Sequence, residues 1–127
     1  MALPKLTPIE LQIMDVLWTH GASAVRQVQE EFPEDSRPAY TTLQTVLYRL
    51  EGKKVVRRTR KIGNAHLFEA IVDRASVQRR ALDDVLRLFG GQAQPMMAHL
   101  VQSGQLTMDD VREVERLIED LEKKGTP

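Results

Sequence analysis

The feature that most narrows the fold is the segment "PAYTTLQTVLYRLEGKKVVRRTRKIG" from Pro38 to Gly63. Leu43, Val46, Leu47 and Leu50 recur at i, i+3, i+4 and i+7, the period of a helix with one buried stripe. The helix is predicted to begin near Pro38, which suits a first turn, and to close at Glu51-Gly52. Its outward side must then carry Tyr40, Thr41, Thr42, Gln44, Thr45, Tyr48 and Arg49. Two β-prone runs follow, Val55 to Lys61 and His66 to Ala70, around a Gly63-Asn64 turn, and they read as a hairpin.

Two shorter helical patterns precede this segment. Thr7-Pro8-Ile9-Glu10 supplies an N-cap, a proline for the first turn and the acid of a capping box, ahead of Ile13, Val16 and Leu17. His20-Gly21 ends that helix, and Ser23 is the expected N-cap of a second one bearing Val25, Val28 and Phe32. Three helices and a hairpin make a winged helix-turn-helix. The chain beyond it reads as all helical. Asp73 caps a pattern over 74–89, a short helix spans about Pro95 to Gln102, and Thr107 caps a last helix with Val111, Val114, Ile118 and Leu121. The expected fold is mainly α, with a winged helix over 1–72 and a helical dimerisation domain over 73–127.

Charge separates these halves. The chain is neutral overall, but residues 36–66 hold eight Lys and Arg against the single acid Glu51, whereas residues 73–127 hold eight against ten acids. A polyanion is therefore a partner for the middle of the chain and not for its end. No cysteine is present, which excludes disulfides and thiol chemistry. His20, His66 and His99 stand without acidic or nucleophilic partners at motif spacing, so neither catalysis nor a metal or cofactor is expected. No apolar run is long enough for direct membrane insertion, and the start MALPKLTPIE is unlike a signal peptide; the expected location is cytoplasmic.

Threonine is a poor choice for an idle helix surface, where Glu and Lys are usual. Thr and Gln carry short donors and acceptors, and a Thr methyl packs on a thymine methyl, so this face suits base edges in a major groove. Thr42, Gln44 and Thr45 are the foremost base-reading candidates, while Tyr40 and Thr41 suit phosphates equally well. Arg49 either meets phosphate or pairs with Glu51 or another acid. Lys53, Lys54 and the hairpin cations Arg58, Arg60 and Lys61 are expected on phosphates, which supply sequence-independent affinity. Strand alternation would set Arg58 with Arg60 on one face and Arg57 with Lys61 on the other.

The stretches "LTPIELQIMDVLW", "AYTTLQTVLYRLEGKKVVRR" and "HLFEA" resemble the N-terminal winged helix of the BlaI/MecI-type penicillinase-repressor family, and the likeness continues more weakly to about Lys124. The resemblance implies a bacterial transcriptional repressor of antibiotic-resistance genes that binds palindromic double-stranded operator DNA as a homodimer. It implies that the C-terminal helices form the dimer, for which Val85, Leu88, Phe89, Val111, Val114, Ile118 and Leu121 are suitably placed. It also implies derepression through cleavage by a membrane sensor-protease near His99-Leu100, although an Asn-aromatic pair would match the family pattern there. The copper-responsive branch relies on cysteines, which this chain lacks. Two other readings stay open at this level: a winged-helix repressor released by a small ligand, and a winged helix used only for protein–protein contacts.

Overall fold

The computed structural model describes residues 3–125. The elements run α1 (Pro8–His20), α2 (Val25–Glu30), a 3-10 turn (Glu34–Ser36), α3 (Tyr40–Gly52), β1 (Val56–Ile62), β2 (Ala65–Ala70), α4 (Arg74–Leu88), α5 (Ala93–Gln102) and α6 (Met108–Gly125). The chain divides into two compact units, Met1–Ala81 and Leu82–Pro127.

The first unit is the mainly helical winged helix that the sequence predicts. Its core joins Ile13, Met14 and Leu17 of α1, Val25 and Val28 of α2, Leu43, Val46, Leu47 and Leu50 of α3, and Val56 and Phe68 of the hairpin. Each such side chain contributes about 1.5–3 kcal/mol on leaving water. The unit reaches past residue 72 because the first half of α4 is tied to α1. Val77 is buried, Arg74 bonds Asp15 at 2.7 Å and Thr19 at 3.0 Å, and Trp18 Nε1 donates to the Val72 carbonyl at 2.8 Å.

Two local expectations are corrected. Pro38 lies outside α3, which starts at Tyr40 after Ala39 in extended geometry; the Pro38 carbonyl instead accepts from Gln29 Nε2 at 3.1 Å. Ser23 is not a cap. It is buried and forms a bridge with Phe68 through two backbone hydrogen bonds of 2.9 Å, and Ala24 takes the cap position. α3 closes at Gly52 as expected, and the left-handed residue after it is Lys54 at φ 64°, which costs a β-carbon clash that glycine would avoid.

The hairpin also departs from simple alternation. Val56, Arg57 and Arg58 pair with Ala70, Glu69 and Phe68, whereas Lys61 pairs with His66. Thr59 and Arg60 therefore stand together opposite Leu67, which is a β-bulge. Residues paired across strands share a side of the sheet, as do Phe68 and His66 by alternation. The bulge thus sets Lys61 with Arg58, not with Arg57.

At the start of α1, the capping box forms as predicted: Thr7 N donates to Glu10 Oε1 at 2.7 Å and Glu10 N to Thr7 Oγ1 at 3.3 Å. Glu10 does more than cap. Its side chain is fully buried, and it accepts from Lys53 Nζ at 2.7 Å and Arg49 Nε at 2.9 Å. Burial alone would raise its pKa, but the hydrogen bonds from Lys53, the Thr7 N–H and Arg49 prevail and lower it from 4.5 to about 2. A carboxyl depressed on folding stabilises the fold above its unfolded pKa and loses that contribution as pH falls toward its folded one. Stability is expected to decline as pH falls from about 4.5 to 2. In thermal melts across that window the slope should be shallower for Glu10→Gln, and at neutral pH Glu10→Ala should cost about 2–3 kcal/mol.

Candidate nucleic-acid interface

With its aliphatic stripe turned inward, α3 leaves Tyr40, Thr41, Thr42, Thr45, Tyr48 and Arg49 exposed and Gln44 half-buried. Helical spacing places Thr41, Thr45 and Tyr48 at the crest of this face. Gln44 lies on one flank, and Thr42 and Arg49 lie on the other. The Thr45 hydroxyl donates to the Thr41 carbonyl at 3.0 Å, so its hydrogen is already used and its γ-methyl and lone pairs are what it offers outward. No acidic residue falls in the first turn, so nothing on this face repels a polyanion where the helix begins.

The wing borders the Gln44 flank. Arg58 lies over the Tyr48 ring at 4.6 Å and over Phe68 at 5.5 Å, and its Nε reaches Glu51 Oε2 at 3.0 Å. Stacking and ion pairing together hold this guanidinium beside α3. Lys61 shares that side of the hairpin. Arg57 occupies the opposite side, paired with Glu69 at 2.6 Å. Among the described residues, Lys54, Arg60 and Lys61 pair with no carboxylate, so their charge is fully available to an anion.

Two of the expected phosphate ligands are held differently. Arg49 pairs with Glu10 of α1 rather than with Glu51, and Lys53 bonds both Glu10 and the Lys5 carbonyl, the latter at 3.0 Å. Sequence reading gives Glu10 only its capping role; the second role depends on residues 39 and 43 positions away.

The remaining candidates lie in the C-terminal unit or in α4, which enters it. Leu88 is 83% exposed, Leu121 69% and Ile118 51%; Val85 and Val111 are also exposed, and Val114 is half-buried. Neither α5 nor α6 has a buried side chain. Phe89 rests against His99, ring centroids 5.5 Å apart. His99 and Leu100 sit inside α5, and the Leu100 carbonyl accepts from the N–H groups of Gln105 and Leu106. Among the described residues no helix is long and apolar enough to cross a membrane.

A polar third helix with no acid in its first turn, set beside a basic hairpin, defines a winged-helix DNA-binding transcriptional repressor. The profile of the family described as Penicillinase repressor matches residues 6–120, and the chain belongs to that family. The penicillinase repressor of Bacillus licheniformis is 24% identical over 119 residues, which cover 93% of this chain and 92% of that one. The transcriptional regulator BlaI of Mycobacterium tuberculosis is 30% identical over 123 residues, covering 94% and 87%. The solution structure of the DNA binding domain of the repressor BlaI superposes with a TM-score of 0.51 at 27% identity, covering 59% of this chain and 90% of that one.

Proposed function

We propose that this repressor binds palindromic operator DNA as a homodimer, with α3 in the major groove and the Arg58–Lys61 side of the wing on phosphates. The observation that carries this reading is the division of α3: four buried aliphatics on one side and a face of threonines and tyrosines on the other. In it, Thr41, Thr42, Gln44 and Thr45 meet base edges, and Tyr40, Tyr48, Arg49, Arg58, Arg60 and Lys61 lie along the backbone, while the Lys53 ammonium is turned to Glu10 instead. Such a protein works on chromosomal DNA in the cytoplasm, and no step calls for catalysis.

The dimer is supported by the C-terminal unit. An apolar stripe as open as Val111, Ile118 and Leu121 on α6, with Leu88 on α4, is costly in water and is relieved by a second copy. Two-fold pairing through residues 73–127 would set two α3 helices about 34 Å apart, one duplex turn. Control of release belongs to the same region. Cleavage by a membrane sensor-protease at His99-Leu100 would first require α5 to open, since a protease takes its substrate extended and these residues are helical.

Footprinting of the chain on its own upstream DNA tests the whole reading, and protection of no site would end it. Thr45→Ala and Gln44→Ala should each cost roughly 1–3 kcal/mol on the protected site and little on mixed-sequence DNA; equal losses on both remove these residues from base readout. Lys61→Ala should lower the slope of log affinity against log salt by about 0.9, whereas Arg57→Ala should leave it in place. Ile118→Asp should yield monomers in sedimentation, because it sets an unpaired charge in an apolar seam.

A further inference from the structure

Glu10 is an unusual side chain to find beneath a helix that faces DNA. A capping box needs only the Thr7 N–H and a carboxylate at the surface, yet Glu10 is completely buried and draws in two cations from α3. A buried carboxylate with partly exposed partners is a costly way to join two helices that already share Ile13, Met14, Leu43 and Leu47 in one core. Orientation is what the cluster provides that an apolar contact would not.

The two cations are held unequally. Lys53 directs its ammonium inward, to Glu10 at 2.7 Å and to the Lys5 carbonyl at 3.0 Å, and its side chain is 26% exposed. Arg49 gives Glu10 only its Nε, at 2.9 Å, and remains 46% exposed. A guanidinium has five N–H donors in a rigid plane, so anchoring the Nε edge on Glu10 fixes that plane and leaves the donors of the opposite edge directed away from the anchor. Arg49 lies two helical turns beyond Thr42 on the same flank of α3.

We propose that Glu10 is a positioning residue for DNA binding. It fixes Arg49 as a pre-aimed phosphate donor on the Thr42 flank of α3 and withdraws Lys53 from the set of DNA contacts. Pre-aiming removes the ordering cost that a mobile arginine meets when it grips phosphate. This inference rests on the reading that α3 faces a duplex.

The test is binding to a labelled mixed-sequence duplex over a range of salt, at a temperature where circular dichroism shows every variant folded. Arg49→Ala should weaken binding about tenfold and lower the salt slope by about 0.9. Glu10→Gln should produce most of that loss in the intact chain, but less than about twofold once Arg49 is alanine. Lys53→Met, which keeps the stem and removes the charge, should leave the slope unchanged. The inference is overturned if Glu10→Gln retains wild-type affinity and slope, if its effect is equally large without Arg49, or if Lys53→Met lowers the slope. Arg49→Lys serves if Glu10→Gln does not fold: one ammonium cannot hold Glu10 and a phosphate as the fork does, so a loss like that of Arg49→Ala is expected, and wild-type binding would refute the assignment. Absence of binding by the wild-type chain would instead overturn the DNA-binding reading itself.

Discussion

The angle at which the third helix is rolled about its own axis governs the rest of this molecule. Leu43, Val46, Leu47 and Leu50 set it, each essentially removed from solvent within a core drawn from α1, α2 and the hairpin. Turning the helix by one residue's worth of rotation would expose part of this stripe and bury threonine hydroxyls, losing hydrophobic stabilisation and adding desolvation cost at once. Glu10 adds a directional lock to this non-directional one, because a carboxylate accepting three hydrogen bonds tolerates little sliding. The outer face of α3 is therefore held in place by groups that lie behind it.

Periodicity in the chain was enough to place this face. The i, i+3, i+4, i+7 stripe of α3 and the Thr7 and Asp73 caps are local patterns, and the structure reproduces them. Longer-range features were hidden. Ser23 has the residue type of a cap, but its backbone completes a bridge to Phe68 far along the chain, and the capping signal carries no trace of this. Glu10 looks like any capping acid until α3 brings Arg49 and Lys53 beside it. Lys54 is left-handed although Gly52 stands two positions earlier, a choice made by the geometry of the turn into β1 and not by propensity. Of the candidate interface, the exposure of Thr41, Thr45 and Tyr48 on α3 was legible; which cations stand beside them was not, since that depends on pairing and bulging.

The two units follow different rules. The N-terminal unit has a single apolar centre and the docked start of α4. The C-terminal unit presents more aliphatic surface than it hides. Its charges suit helices rather than polyanions: Asp109 and Asp110 lie at the start of α6 and Lys123 and Lys124 at its end, where the helix dipole favours each sign. Basic character is concentrated where α3 and the wing meet, which explains how a neutral chain can hold a strongly cationic surface.

The extra residue opposite Leu67 makes the wing a matter of parity. Side chains beyond the irregularity exchange sides relative to a regular ladder, so the tip's cations are allotted by how many residues separate Arg58 from the Gly63-Asn64 turn. A one-residue insertion or deletion there would reassign the whole tip without altering its composition, a larger change than removing any single arginine. The length of this hairpin is accordingly the coarse control on which side its cations face, and the identity of each basic residue is the fine one.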